Sequence, residues 1–296
     1  MDKHNVVAAR NFLSASGVWP PPVRVDVDGW LNNFDTSDRE VAHRLLELFV
    51  FYNNDLLRKL VTTAFMRIGS LDLDEENASS HEDRWNDFLS SVVLSYPASV
   101  PPNPSDSGHL FVRVIRDHFG ISESQLLGPL DLVKRLSVAK KPFPLVFVDD
   151  FSGTGNQFVR SLNQPLRVSW WRRKTSIAKQ LHRLRPERAF AVFGISSISA
   201  RREMLRNAHL RVSAGNQLDE SASILTPRHN PDEEVERLEL MDLVERYSVK
   251  AGISAADIFG YKSSGLTVGF EHGIPNNTLP IFTKESATWK PLISKS

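Results

Sequence analysis

Residues 144–158 read Pro144-Leu145-Val146-Phe147-Val148-Asp149-Asp150-Phe151-Ser152-Gly153-Thr154-Gly155-Asn156-Gln157-Phe158. The apolar run at 145–148 has the length of a buried strand. Two carboxylates stand where that strand is predicted to end. A Ser/Gly/Thr/Gly turn follows, and then the polar start of a predicted helix. Such a turn presents backbone N–H groups, and the helix dipole behind it favours an anion. Adjacent carboxylates accept hydrogen bonds from two neighbouring sugar hydroxyls, or hold a divalent cation through water. The stretch therefore describes a site for a phosphorylated sugar. The plainer alternative is a capping turn after an ordinary α/β strand, where loops for other ligands also gather. A dinucleotide fingerprint fits poorly, because Phe158 stands at its third glycine position.

Working outward, a helix is predicted over 130–139 and strands over 189–195 and 210–214, with a helix over 199–207 between them. This alternation predicts a parallel sheet with right-handed crossovers. Upstream, 91–96 reads as a strand, 101–109 as a rigid turn rich in proline, and 110–118 as a helix. Downstream, Asn230, Pro231 and three acids announce a helix that runs to Lys250 and stops at Gly252. Its predicted packing stripe is Val235, Leu238, Met241 and Val244. In the stretch from Leu266 to Phe282 a last strand leads into an asparagine-rich loop. At the other end, 3–16 reads as a short helix and Trp19-Pro20-Pro21-Pro22 as a connector. Ser37 and Glu40 fit a capping box. Apolar residues over 45–51 and 56–68 recur at helical spacing, with a break at Asn53-Asn54, and predict an all-α lobe. His81-Glu82-Asp83 reads as a charged first helical turn. The predicted organisation is an N-terminal helical lobe, 1–80, and an α/β domain, 81–296.

The chain has 296 residues and no cysteine, which excludes disulfides, thiolate zinc sites and a cysteine nucleophile. No apolar run approaches the ~20 residues of a membrane span. The first residues carry an acid and lack the apolar core of a signal peptide, so the expectation is a cytoplasmic protein without a membrane partner. The charge balances at 36 basic against 35 acidic residues, but unevenly: 167–211 is strongly basic. Within it, Trp170, Trp171, Arg172, Arg173 and Lys174 pair rings with cations, a combination suited to nucleic acid. The plainer reading, a solvated face with inward tryptophans, is slightly favoured.

The VFVDD-FSG-TG stretch closely resembles the phosphoribosyl-pyrophosphate loop of the type I phosphoribosyltransferases: an apolar strand, two acids, three variable residues, then Thr-Gly. The resemblance implies that Asp149 and Asp150 hold the ribose hydroxyls and support catalysis, that Ser152, Gly153, Thr154, Gly155, Asn156 and Gln157 wrap the 5′-phosphate, and that Mg²⁺ arrives with the substrate rather than on protein ligands. It also implies a pyrophosphate loop after an early strand. Ser105, Ser107 and Gly108 occupy that place in order, with Arg113 on the helix beyond; a simple helix cap at Ser105 or Ser107 reads equally well. Val25-Asp26-Val27-Asp28-Gly29 is superficially similar to the DxDG of haloacid-dehalogenase phosphatases. A proline run rather than a buried strand precedes it, so a solvated loop is the better reading.

Along most of its length the chain also resembles phosphoribosyltransferase-like proteins of bacterial conflict and antiphage systems, including those encoded beside retron reverse transcriptases. The shared features are WLNNFDTSDREVAHRLLELFVFY, DDFSGTG, and PNNTLPIF followed by Trp289 and Pro291-Leu292. This implies an α/β, parallel-sheet phosphoribosyltransferase-like core with an N-terminal helical lobe and a C-terminal hood. His272, Asn276 and Asn277 would belong to the hood, although both asparagines are also common turn formers. Two functions follow from the resemblance. One is a defence effector that binds phosphoribosyl pyrophosphate or a related nucleotide and transfers or cleaves at ribose C1. The other is an inactive subunit that senses a nucleotide or binds retron nucleic acid.

Overall fold

A computed structural model describes residues 3–21, 23–72, 79–98, 107–168 and 174–294. Helices α1 (Lys3–Ala15), α2 (Val27–Leu31) and α3 (Arg39–Leu48) precede strand β1 (Val50–Tyr52). Helices α4 (Asn54–Asp72) and α5 (Ser79–Ser91) lead to β2 (Val93–Ser95), then α6 (Ser107–Phe119), α7 (Pro129–Val138) and β3 (Leu145–Ser152). There follow α8 (Asn156–Asn163), the short β4 (Leu166–Arg167) and β5 (Lys174–Thr175), α9 (Ile177–Leu184), β6 (Ala189–Ser197), α10 (Ile198–Ala208) and β7 (Arg211–Leu218). Helix α11 (Pro231–Lys250) and strand β8 (Val268–Phe270) follow.

The chain divides into two compact units, Met1–Leu56 with Asp219–Ser296, and Leu57–Leu218. These bounds differ from a division at residue 80. The cause is a strand that helical periodicity concealed: β1 pairs in parallel with β8, Val50 opposite Val268 and Tyr52 opposite Phe270. The apolar run from Leu45 is thus a helix followed by a strand, and the unit holding it is not all-α.

The Leu57–Leu218 unit is built on a parallel sheet in the order β2-β3-β6-β7. Strands buried on both faces read as continuous apolar runs, as 145–148 and 189–193 do. One face packs against α7, α9, α8 and α10 through Phe147, Ala191 and Phe193, with Leu132, Phe158, Leu181 and Met204 from the helices. On the opposite face Phe88 of α5 meets Phe190 edge-on at 6.5 Å, and Val61 of α4 lies beside Gly194.

In the other unit the indoles of Trp30 and Trp289 both donate to the carbonyl oxygen of Ile281, at 3.0 and 3.1 Å. Phe34, Phe49, Phe282 and Tyr247 ring them. Leu279 and Leu292 are fully buried in the same cluster. The Trp-Leu and PNNTLPIF motifs are therefore this unit's core.

The fold departs from three local expectations. The residue at the N-cap of α3 is Asp38, and it makes no side-chain cap. Its carboxylate turns instead to Arg246 and the Tyr247 hydroxyl, each at 2.8 Å, so the Ser37–Glu40 box does not form. The buried side of α11 carries Leu240, Leu243, Val244 and Tyr247, whereas Val235 and Leu238 are exposed. The aromatic cluster around Tyr247 sets that rotation, and Arg237, paired with Glu234, fills an inner position. Finally, Val25–Gly29 is no solvated loop. Val25 and Val27 are buried, and Asp26 caps α2 by accepting from the Gly29 N–H at 2.7 Å.

Candidate functional site

Strand β3 runs further than its apolar part and includes both carboxylates. Asp149 sits opposite Phe193 on β6, and Ser152 opposite Ser196. Alternate residues of a strand face opposite sides, so the two acids do not present side by side. Asp149 is half-buried, and one of its oxygens accepts the Asp150 N–H at 3.0 Å. Asp150 is only 8 % exposed. Asp149 is thus the more accessible acid.

Beyond Ser152 the chain turns through Gly153 and Thr154 to Gly155, which takes the left-handed conformation at φ 74° as the N-cap of α8. Glycine is required there twice over. Its φ is unfavourable for other residues, and an added Cβ would lie 3.0 Å from the Ala200 carbonyl oxygen and from the Glu203 Cβ. A glycine cap has no side chain to satisfy the first N–H groups of the helix, and the first turn of α8 holds no acid. Those groups and the positive end of the helix are therefore directed at the turn, with no acid in the helix's own first turn. Phe158 anchors the helix by edge contacts with Phe147 at 5.7 Å and Phe193 at 5.5 Å.

The turn is also fastened from the next strand. Ser197, at the end of β6, caps α10 by accepting from the Ala200 N–H at 3.0 Å. Its hydroxyl donates to the Gly153 carbonyl oxygen, which Ser199 reaches as well, at 3.2 Å. A third segment closes in at α6. A Cβ on Gly108 would lie 2.7 Å from the Tyr96 Cβ, 3.1 Å from the Val148 carbonyl oxygen and 3.5 Å from an Asp149 carboxylate oxygen. The Tyr96 ring meets His109 edge-on at 5.5 Å. The start of α6, the end of β3 and the start of α10 thus converge at the carboxyl ends of parallel strands, where α/β sheets bind ligands.

A family model described as PRTase-CE matches residues 27–295. The chain belongs to the PRTase-CE family. It is a phosphoribosyltransferase-like protein, and the parallel α/β core agrees with that family. No curated protein and no solved structure gave a match.

Of the residues predicted for the site of this PRTase-CE chain, the structure gathers Asp149 to Gln157 and brings Gly108 beside them. Ser152, Gly153 and Gly155 are buried, Thr154 and Asn156 half-buried, and Gln157 exposed. The Asn156 amide donates to the Thr154 carbonyl oxygen at 3.4 Å. Arg113 is exposed on α6, and Lys174 is exposed in β5. Ser105, Trp170, Trp171, Arg172 and Arg173 lie outside the described residues, as does the Ser107 side chain.

The hood candidates belong to the unit of the chain's two ends. There His272 is exposed, stacks on Phe270 at 5.8 Å and lies 3.3 Å from Asn54 Oδ1. Asn276 is exposed, and its carbonyl accepts the Tyr261 N–H at 2.7 Å. Asn277 is buried and donates to Ser264 Oγ at 2.7 Å, so its amide holds its own loop. Sequence reasoning missed Ser197 and Ser199. Their signal was present: Ser196-Ser197-Ile198-Ser199 is a serine cluster between a buried strand and a helix, the composition of an N-cap.

Among the described residues no group of three His, Asp or Glu is placed to hold a metal. No helix among them is long and apolar enough to cross a membrane.

Proposed function

We propose that the chain binds phosphoribosyl pyrophosphate, or a related ribose-phosphate nucleotide, at the end of β3. Asp149 hydrogen-bonds the ribose hydroxyls, and the N–H groups from Gly153 to Gln157 surround the 5′-phosphate. Asp150, more deeply set, supports the strand end and its charge. The observation that carries this reading is the glycine-capped start of α8, held by Ser197 and Ser199 beside an accessible carboxylate. A site already rigid before its ligand arrives spends little affinity on ordering.

The reaction that fits is transfer or cleavage at ribose C1. The bond from C1 to the pyrophosphate oxygen breaks, pyrophosphate departs with the electron pair, and an acceptor or water bonds to C1. The chain's residues hold the pentose through an oxocarbenium-like state and exclude bulk water. A Mg²⁺ would arrive on the ligand's own oxygens, and Asp149 is the residue that would help to hold it. Bound there, Mg²⁺ would neutralise the leaving pyrophosphate. The motifs that resemble those of conflict-system proteins support reading the chain as an antiphage effector, with a retron as one candidate system.

Calorimetry of the full chain with phosphoribosyl pyrophosphate and Mg²⁺ tests the reading. Saturable binding is expected, with release of pyrophosphate on turnover and loss of both in Asp149→Ala with Asp150→Ala. Binding without turnover would make the chain a sensor. No heat of binding in the folded protein would overturn the proposal.

A further inference from the structure

Between Arg167 and Arg211 the sequence holds twelve Lys and Arg against two acids, Glu187 and Glu203, in a chain that balances only as a whole, at 36 basic against 35 acidic residues. The structure shows where much of this charge goes. Helices α7, α9, α8 and α10 lie side by side in that order, as one layer on one face of the sheet. Their inward positions fill the core, and their outward positions carry cations interspersed with exposed apolar residues such as Val138 and Leu205. Arg160 of α8, Lys179 of α9, and Arg201 and Arg206 of α10 are exposed, as are Lys140 and Arg185 at the ends of the neighbouring segments. None of these six pairs with a carboxylate among the described residues. Of the two acids, Glu203 is half-buried beside Gly155, and Glu187 is exposed between α9 and β6, one acid against the six cations.

We infer that this helical layer is a docking surface for the phosphate backbone of a nucleic-acid duplex. Unpaired cations spread over several elements gain little for stability, but each phosphate contact releases condensed counterions. Helices packed 8–10 Å apart make a four-helix layer about 25–30 Å broad, close to one turn of a duplex. No Phe, Tyr or Trp ring of the described layer is exposed, whereas single strands are gripped chiefly by such stacking rings. The chemistry therefore reads backbone rather than bases. This surface stands independently of the sugar-phosphate site.

The test is fluorescence anisotropy of the full chain with a labelled mixed-sequence duplex of about two helical turns. With six contacts, affinity is expected to fall about a thousandfold between about 50 and 200 mM salt. Arg160→Gln, Lys179→Gln, Arg201→Gln and Arg206→Gln together are expected to make the log–log salt slope shallower by roughly three to four. Each single substitution, read alongside circular dichroism, removes about one part in that slope and separates lost contacts from lost folding. Asp149→Asn is expected to leave duplex binding unchanged, so a failed sugar site does not sink this surface. The inference is overturned if the folded protein shows no binding at low salt. It is equally overturned by a slope unchanged in the fourfold variant, or by polyglutamate binding as tightly as the duplex.

Discussion

The hydroxyl of Ser199 donates to the carbonyl oxygen of Gly153 at 3.2 Å, tying the turn after one parallel strand to the helix after the next. Ser197 reaches the same oxygen while capping α10. Two hydroxyls on one carbonyl fix the direction of the peptide that precedes the cradle. Ser197→Ala removes the cap and one of these bonds, and is expected to cost about 1–2 kcal/mol in urea unfolding. Ser199→Ala leaves the Ser197 cap in place, though it removes the 2.8 Å contact between the two hydroxyls, and is expected to cost less than half as much. Both should weaken ribose-phosphate binding measured by calorimetry.

Gly155→Ala is expected to be worse than either. The left-handed backbone alone costs roughly 1–2 kcal/mol for an L-residue, and the new methyl meets the Ala200 carbonyl. A loss of about 2–4 kcal/mol in denaturant unfolding is expected, together with loss of ligand binding. A variant as stable as the parent would show that α8 and α10 part readily.

Gly108→Ala probes the third wall. The methyl would crowd the Tyr96 Cβ and the Val148 carbonyl, forcing the start of α6 away from β3. Overpacking of this kind costs typically about 1–3 kcal/mol. Ligand affinity measured on the remaining folded protein should fall as well, because Asp149 borders the same gap.

Stability at high pH should report on Tyr247. Burial first, and then the adjacent Asp38 and Asp35 carboxylates, push its phenol up to about 12, although the Asp35 N–H opposes the shift. A raised pKa means that the folded state favours the protonated phenol. Its contribution is whole below about 10, the ordinary value, and fades as pH rises through about 12. Tyr247→Phe, monitored by thermal unfolding across pH 9–12, should remove that alkaline loss. At neutral pH the variant should be about 1–2 kcal/mol less stable, since Asp35 and Asp38 lose a shared donor.

At the acid end Glu234 is held down to about 2, mainly by the Arg237 side chain and then by the Arg228 N–H. A depressed carboxyl stabilises above its ordinary value near 4 and loses that support as pH falls toward 2. Glu234→Gln should flatten the decline between pH 4 and 2 in a midpoint-versus-pH series. An unchanged decline would assign it to other carboxylates.

How far the sequence reaches is visible element by element. Strand β3, its glycine turn and α8 were legible because apolar run, turn residues and helix start agree locally. The end of β3 was misplaced, since neither carboxylate betrays that β6 continues beside it to Ser197. Strand β1 was invisible for a different reason. Its partner lies more than two hundred residues away, and no local pattern records a pairing that distant. Tyr247 shows the third kind of failure. Helix α11 was found by its cap, but its buried side was chosen by an aromatic cluster drawn from both ends of the chain. Within the site, Ser197 and Ser199 act through hydrogen bonds to another loop, and a linear reading sees them only as a cap.

The parallel pairing of β1 with β8 sets a timetable for biosynthesis. On a ribosome adding roughly 5–20 residues per second, Val50–Tyr52 emerges on the order of 10–40 s before Val268–Phe270 exists to meet it. Leu57–Leu218 is contiguous and has all of its strands in hand during that interval. The nascent protein thus carries an apolar stretch in waiting, a natural client for a chaperone until translation delivers its mate.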